Sequence, residues 1–270
     1  MRPSLSALLL VQLTFAFGFE STGRGARPQS LANAFIAATD DPWLVCHNPA
    51  GLASLSVSKG ALCFVPAQFG LRELRSATAV AGLPTSVINM GIMLDDYGSA
   101  LYRESTLVFG AGRTIADGVA VGMSLNLGLV AIERYGSALR SSIDLGVSWQ
   151  VIENFRLAYV WRNVTGARLG LAEEPLPESH TMGFTFVPHR SALVTLDLEK
   201  DIRVPFVIRA GIELHVLEYL SLRCGSSNDP EMLTAGVGVR LSRWECSYAL
   251  RSHHQLGITH AIGLSYEFPR

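Results

Sequence analysis

The chain is short of the features by which most proteins announce themselves. Past residue 18 it has no apolar run long enough to cross a membrane as a helix, because charges or Gly, Ser and Asn steps interrupt every candidate. It has almost no net charge, −1 over 270 residues, so it offers no electrostatic footprint for nucleic acid. Its four cysteines, Cys46, Cys63, Cys224 and Cys246, never form a Cys-x-x-Cys pair, which argues against a zinc site. A Gly-x-Ser-x-Gly nucleophile elbow is also missing, so nothing points to a serine hydrolase. Neither Asp40-Asp41 nor Asp95-Asp96 sits in a loop with the spaced oxygens and glycine of a calcium-binding hand. No metal and no cofactor is implied.

What is present is greasy. Hydrophobic residues make up 49% of the chain and charged ones only 17%, too apolar for an ordinary secreted soluble domain. A helical membrane protein concentrates that hydrophobicity in long runs, whereas a membrane barrel dilutes it by alternation. From Val119 to Leu129 the odd positions are all large and apolar, while the even ones read Ala120, Gly122, Ser124, Asn126 and Gly128. A strand alternates faces with period two, so this segment has one lipid-compatible face and one small, wet face.

About fourteen such segments follow one another, read as 57–66, 74–83, 86–95, 104–114, 118–130, 141–151, 154–163, 180–188, 191–200, 204–215, 218–226, 231–241, 243–251 and 258–268. Their lengths suit the ~9–11 residues of a tilted transmembrane strand. Turns after the even-numbered strands are short, as at Pro84-Thr85 and His189-Arg190. The alternate loops are mostly longer, the longest at 164–179 and another at 131–140, with the short connection near Asp201 as an exception. The expectation is an all-β fold: a transmembrane antiparallel β-barrel of about fourteen strands, spanning residues 57–270 in the outer membrane of a diderm bacterium and solvated by its lipids.

The charges give a sharper test. Asp144, Arg156, Arg162, Asp197, Glu199, Arg209, Glu213, Arg240 and Glu245 are the candidates for lumen-facing positions, and most oppose the apolar residues of their strands in parity. Facing lipid at midplane, an Arg or Lys would cost about 2–4 kcal/mol. In a lumen these charges either line a polar passage or form a static ladder of ion pairs, and both readings stay open. Arg113 and Glu231 fall on the greasy parity, but near strand ends where the cost is small.

The N-terminus differs from the rest. Arg2, the apolar stretch Leu5 to Phe17 and the Ala16-Phe17-Gly18 site read as a secretory signal over residues 1–18, cleaved before Phe19. Residues 19–56 then carry helix formers from Ser30, a plausible N-cap, to Ala38. The Asp40-Asp41-Pro42 stop and the run Asn48-Pro49-Ala50-Gly51-Leu52 follow.

The stretch Ala34-Phe35-Ile36-Ala37-Ala38-Thr39-Asp40-Asp41 with Asn48-Pro49-Ala50-Gly51-Leu52 resembles the N-terminal signature of the PorV/PorQ outer-membrane proteins, a family that looks related to the FadL fatty-acid transporters. Leu220-Ser221-Leu222-Arg223-Cys224-Gly225 and Leu256-Gly257-Ile258-Thr259-His260 are similar to C-terminal strands of that family. The likeness implies that residues 19–56 fold into the lumen as a short hatch, with Asp40, Asp41, Asn48, Pro49, Ala50 and Gly51 as its motif. It also implies passive transport of a small hydrophobic ligand or, alternatively, a barrel that binds secretion-machinery or exported proteins. Cys46-His47 departs from the pattern, since the family more often has aromatic residues before Asn-Pro, and the chain is short for the family. A third reading, lipid hydrolysis by His253, His254 or His260 with Ser247 or Ser252, has only proximity in sequence behind it.

Overall fold

A computed structural model describes residues 23–169, 174–201 and 205–269. The signal sequence read at 1–18 lies outside these residues. The described residues form sixteen strands, of which fourteen close into one antiparallel barrel. They are β1 (Lys59–Val65), β2 (Ser76–Leu83), β3 (Asn89–Gly98), β4 (Tyr102–Ala116), β5 (Val119–Ile132), β6 (Gly136–Ile152) and β7 (Phe155–Arg162), then β10 (Ser179–His189), β11 (Ala192–Asp201), β12 (Val207–Leu217), β13 (Leu220–Asn228), β14 (Glu231–Leu241), β15 (Trp244–His253) and β16 (Gly257–Glu267). The remaining two, β8 (Arg168–Leu169) and β9 (Glu174–Pro175), make a small ribbon in the long loop after β7. Each barrel strand pairs with its sequence neighbours, and β1 closes the ring on β16 from Lys59↔Glu267 to Phe64↔Ile262.

Alternation sets the two faces. On β16, Thr259, Ala261 and Gly263 point inward while Ile258, Ile262 and Leu264 stay exposed. On β5, Ser124 and Asn126 are buried while Met123, Leu125, Leu127 and Leu129 are exposed. Repeated around the ring, this leaves an outer wall of Leu, Ile, Val, Met and aromatic side chains far larger than the apolar patches that water tolerates. It is the wall that a bilayer solvates. Rings gather near its ends: Trp244 packs on Tyr266 with centroids 4.5 Å apart, and Tyr266 on Phe268 at 4.9 Å. No described helix is long and apolar enough to cross a membrane.

Two expectations about local structure are corrected. The expected loop at 131–140 is mostly strand: β5 and β6 stay paired up to Ile132↔Gly136, around a tight turn with Arg134 and Gly136 at positive φ. Ladder hydrogen bonds persist there although the apolar alternation has faded. The helix expected from Ser30 instead ends there. Helix α1 runs Ala26–Ser30, with Gly25 at φ 90 before it and Pro28 in its first turn. Ala32 (φ 53) and Asn33 (φ 61) are left-handed, and Asn33 N–H closes the turn on Pro28 O at 2.8 Å. A second helix, α2 (Leu44–His47), and a 3₁₀ helix, Pro49–Ser54, complete the segment.

This N-terminal segment lies within the ring of strands. Helix α1 packs on β13–β16 and the 3₁₀ helix on β3–β6, the opposite wall. Leu31, Phe35, Leu44, Val45 and Leu52 are all but fully buried and share one apolar cluster with Val80, Met93, Val108 and Ala261 of the wall.

Candidate functional site

The contact between segment and wall is built mainly from two devices, small residues and paired polar groups. On the β3–β6 side the inward positions Gly91, Gly110, Gly112, Gly122 and Gly146 stand in register across the strands, Gly91↔Gly110, Gly112↔Gly122 and Gly122↔Gly146. A Cβ on Gly110 would lie 2.8 Å from Val45 Cγ2. On Gly122 it would run into the Pro49–Ala50 peptide, and on Gly146 into Asn48 Oδ1. The absence of side chains along this track lets the Asn48-Pro49-Ala50 backbone lie directly on the wall.

Asn48 holds the turn together. It is wholly buried, its Nδ2 donates to Ile36 O at 2.7 Å, and its Oδ1 accepts from Ala50 N–H at 3.0 Å, capping the 3₁₀ helix. Pro49 follows at the first helical position, where its lack of an N–H costs nothing. From the wall, Asn89 Nδ2 lies within hydrogen-bond reach of Leu52 O, Ala53 O and Leu55 O, at 2.9, 3.3 and 3.2 Å.

Of the nine strand charges singled out from the sequence, three touch the segment directly. Asp197 accepts Phe35 N–H at 2.8 Å and Ile36 N–H at 3.2 Å. Arg162 donates to Cys46 O and His47 O at 3.0 and 3.2 Å. Glu213 takes Arg27 Nη2 at 2.8 Å and Arg223 Nε at 2.8 Å. The other six bind within the wall. Asp144 accepts from Asn126 and from Asn163 N–H; Arg156 meets Gln150 and Ser148; Glu199 pairs with Arg209 at 2.5 Å; and Arg240 pairs with Glu245 at 3.0 Å. Glu245 also holds Arg223 at 2.7 Å, so Arg27, Glu213, Arg223, Glu245 and Arg240 form one chain of alternating sign.

The acidic pair works by separate means. Asp41 caps the start of the next turn through Trp43 N–H at 2.9 Å and binds Arg27 at 2.8 Å. Asp40 binds Lys59 at 2.8 Å, and Lys59 in turn reaches Glu267 at 3.0 Å. Burial alone would raise the Asp40 carboxyl, but Lys59 and the Ser56 hydrogen bonds outweigh it and hold it low. Gly51 lies under Leu44, with no room for a Cβ.

Several contacts were invisible to sequence reasoning. Arg24 pairs with Asp95 at 3.0 Å, Thr234 Oγ1 donates to Ser30 O at 2.8 Å, and Arg27 and Arg223 join the charge chain. Parity could have placed Asn89, Thr234 and Arg223, but no spacing rule matches a strand residue to a partner in the segment. His47 is buried, edge-on to Phe35 at 5.3 Å, and its Nε2 donates to Arg24 O at 3.1 Å. Burial, and then the charge of Arg162, push its pKa down to about 3, so it is neutral. Burial likewise pushes the Cys46 thiol up to about 11. All four cysteines are free thiols.

The histidines of the hydrolase reading do not assemble. His260 bonds Tyr248 on the outer face, His253 meets Phe69 edge to face, and Ser247 bonds Arg223 and Glu245 on the inner face. The two Ser–His contacts, Ser191 with His189 and Ser221 with His215, are exposed at short turns. No carboxylate bonds either imidazole among the described residues.

No family model matches the chain, and no curated protein matches it in sequence. Solved structures do match its fold. The toluene transporter TodX of P. putida superposes with a TM-score of 0.70 at 13% identity, over 93% of this chain and 100% of that one. The Ralstonia pickettii toluene transporter TbuX gives 0.67 at 15%, over 93% and 100%. A Pseudomonas aeruginosa FadL homologue gives 0.65 at 10%, over 91% and 98%. At these identities the likeness is one of fold: this chain is built as a FadL-like barrel.

Proposed function

We propose that the protein is an outer-membrane barrel for passive transport of small hydrophobic molecules, with the N-terminal segment as its hatch. The observation that carries this reading is the seating of the segment. It fills a closed barrel, yet it is joined to the wall by hydrogen bonds, ion pairs and glycine contacts, which separate without breaking a covalent bond. The barrels that share its fold include toluene transporters and a monoaromatic hydrocarbon channel. In this reading the short turns face the periplasm and the longer loops face outward, and residues 1–18 are the export signal. Deleting residues 30–52 should raise uptake of a small apolar probe into proteoliposomes; unchanged uptake would sink the proposal.

A second reading, the PorV/PorQ-like one, makes the barrel a binding partner of exported proteins or their translocon. The small size of the polar cavities beside the segment favours it, because nothing drug-sized fits there. Mass spectrometry of the barrel extracted from native membranes separates the two. A stoichiometric apolar ligand supports transport, and a stoichiometric protein supports secretion.

A further inference from the structure

A polar cavity of about 20 Å³ lies between the N-terminal segment and strands β7, β10, β11 and β12. Asn33, Arg162, Thr181, Asp197, Glu199 and Arg209 line it, among others. Three of them carry a buried oxygen without a hydrogen-bond partner among the described residues: Asn33 Oδ1, Thr181 Oγ1 and Asp197 Oδ1. Thr181 and Asp197 are only 2% and 1% exposed, so bulk solvent does not satisfy them. The donors beside them are engaged elsewhere. The Phe35 and Ile36 N–H groups bond the other Asp197 oxygen, Arg162 bonds Cys46 O and His47 O, and Arg209 pairs with Glu199. Three desolvated oxygens around one cavity call for a donor that enters it.

We propose that this cavity is a binding site for one water molecule, which joins Asn33 of the segment to Thr181 and Asp197 of the wall. Size and charge select the ligand. About 20 Å³ takes a single water and nothing larger. Two guanidinium groups and two carboxylates line the space and His47 beside them is neutral, so neither a cation nor an anion is favoured. Water also matches the groups that lack partners. Its two protons go to Asp197 Oδ1 and Asn33 Oδ1, and the Thr181 hydroxyl donates to its oxygen. Three hydrogen bonds are the usual number for a buried water. Asn33 sits in the left-handed turn after α1, Thr181 on β10 and Asp197 on β11, so the site exists only while the segment is seated. It holds whether the barrel carries a small molecule or binds a protein.

The test is oxygen-17 magnetic relaxation dispersion of water on the full-length barrel in detergent micelles, which counts waters held long enough to tumble with the protein. Folding is checked by the heat-dependent shift in electrophoretic mobility. Thr181→Ile keeps the branched Cβ that suits a strand, but replaces the hydroxyl with an ethyl group that fills the cavity. The wild type should hold one more long-lived water than Thr181→Ile. Equal counts in the two folded proteins overturn the site. If Thr181→Ile does not fold, a crystal structure of the wild type that resolves ordered water decides. One water within hydrogen-bond distance of Asn33 Oδ1, Thr181 Oγ1 and Asp197 Oδ1 is the expected result. A dry cavity, or a peak with the shorter oxygen distances of a metal ion, refutes the assignment.

Discussion

Removing the side chain of Asn48 is the most direct way to ask whether the segment is held as described. Asn48→Ala deletes two buried hydrogen bonds and leaves Ile36 O and Ala50 N–H without partners inside the lumen. Each orphaned buried group costs about 1–3 kcal/mol, so the seated segment should lose about 2–6 kcal/mol relative to its released state. At about 1.4 kcal/mol per factor of ten, even the low end raises the released population roughly thirtyfold. Cys46 is a natural reporter of that population. It is buried, its thiol donates to Trp43 O, and its raised pKa keeps it protonated at pH 8. With Cys63, Cys224 and Cys246 replaced by Ser, alkylation of Cys46 under conditions of fast closing tracks the opening equilibrium. Asn48→Ala should therefore label about thirtyfold faster than its parent, while the barrel keeps its folded mobility. Asn48→Asp retains an acceptor for Ala50 but turns an oxygen toward Ile36 O, and it should be no better than Ala. If both variants label at the parental rate in a folded barrel, Asn48 does not hold the segment and the reasoning fails.

Two further outcomes follow from the same contacts. Gly146→Ala drives a Cβ into Asn48 Oδ1 from the wall side, so it should speed Cys46 labelling as Asn48→Ala does, whereas Gly60→Ala, whose Cβ would meet nothing nearer than Phe268 at 3.5 Å, should leave labelling unchanged. His47 supplies a pH dependence: its pKa falls from 6.5 to about 3 when seated, so the released segment binds a proton that the seated one does not. Seating is then strongest above pH 6.5 and weakens as pH falls toward 3, by at most about tenfold per unit for one proton. Hydrogen exchange of residues 44–50, corrected for intrinsic rates, should show this slope in the wild type and a shallower one in His47→Gln.

The barrel was legible because its two determinants are local. Period-two alternation marks each strand, and turn residues mark where it stops, so β14 falls at 231–241 as read and most others within two or three residues. The exceptions are instructive. At 136–140 the chain stays in β structure although its side chains no longer alternate, since the ladder to β5 carries it past the point where lipid demands a pattern. In the segment, helix formers from Ser30 to Ala38 mislead because propensity is a weak prior against two left-handed residues. The turn can lie flat on the wall because Gly225 leaves room for it: Ala32 N lies 2.8 Å from where a Cβ on Gly225 would stand.

That last contact shows why the site itself was harder to read than the barrel that holds it. A glycine or serine on the wet parity of a strand looks like unspecific smallness, the ordinary filling of a lumen. Its meaning appears only when the segment is laid on it, Pro49 and Ala50 on Gly122, Asn48 on Gly146, Ser30 on Gly236 and Ala26 on Gly263. The strand charges behave the same way. Parity put Asp197 and Glu199 on one face, two residues apart, yet one grips two backbone N–H groups of the segment and the other pairs with an arginine on the neighbouring strand. Alternation tells which side of the wall a residue occupies, but contact across a lumen joins residues 204 positions apart, as in Thr234 to Ser30. No period in the chain encodes that pairing. What the sequence does carry is its negative image: a wet face kept so small, from Gly91 to Gly263, that something folded has to fill it.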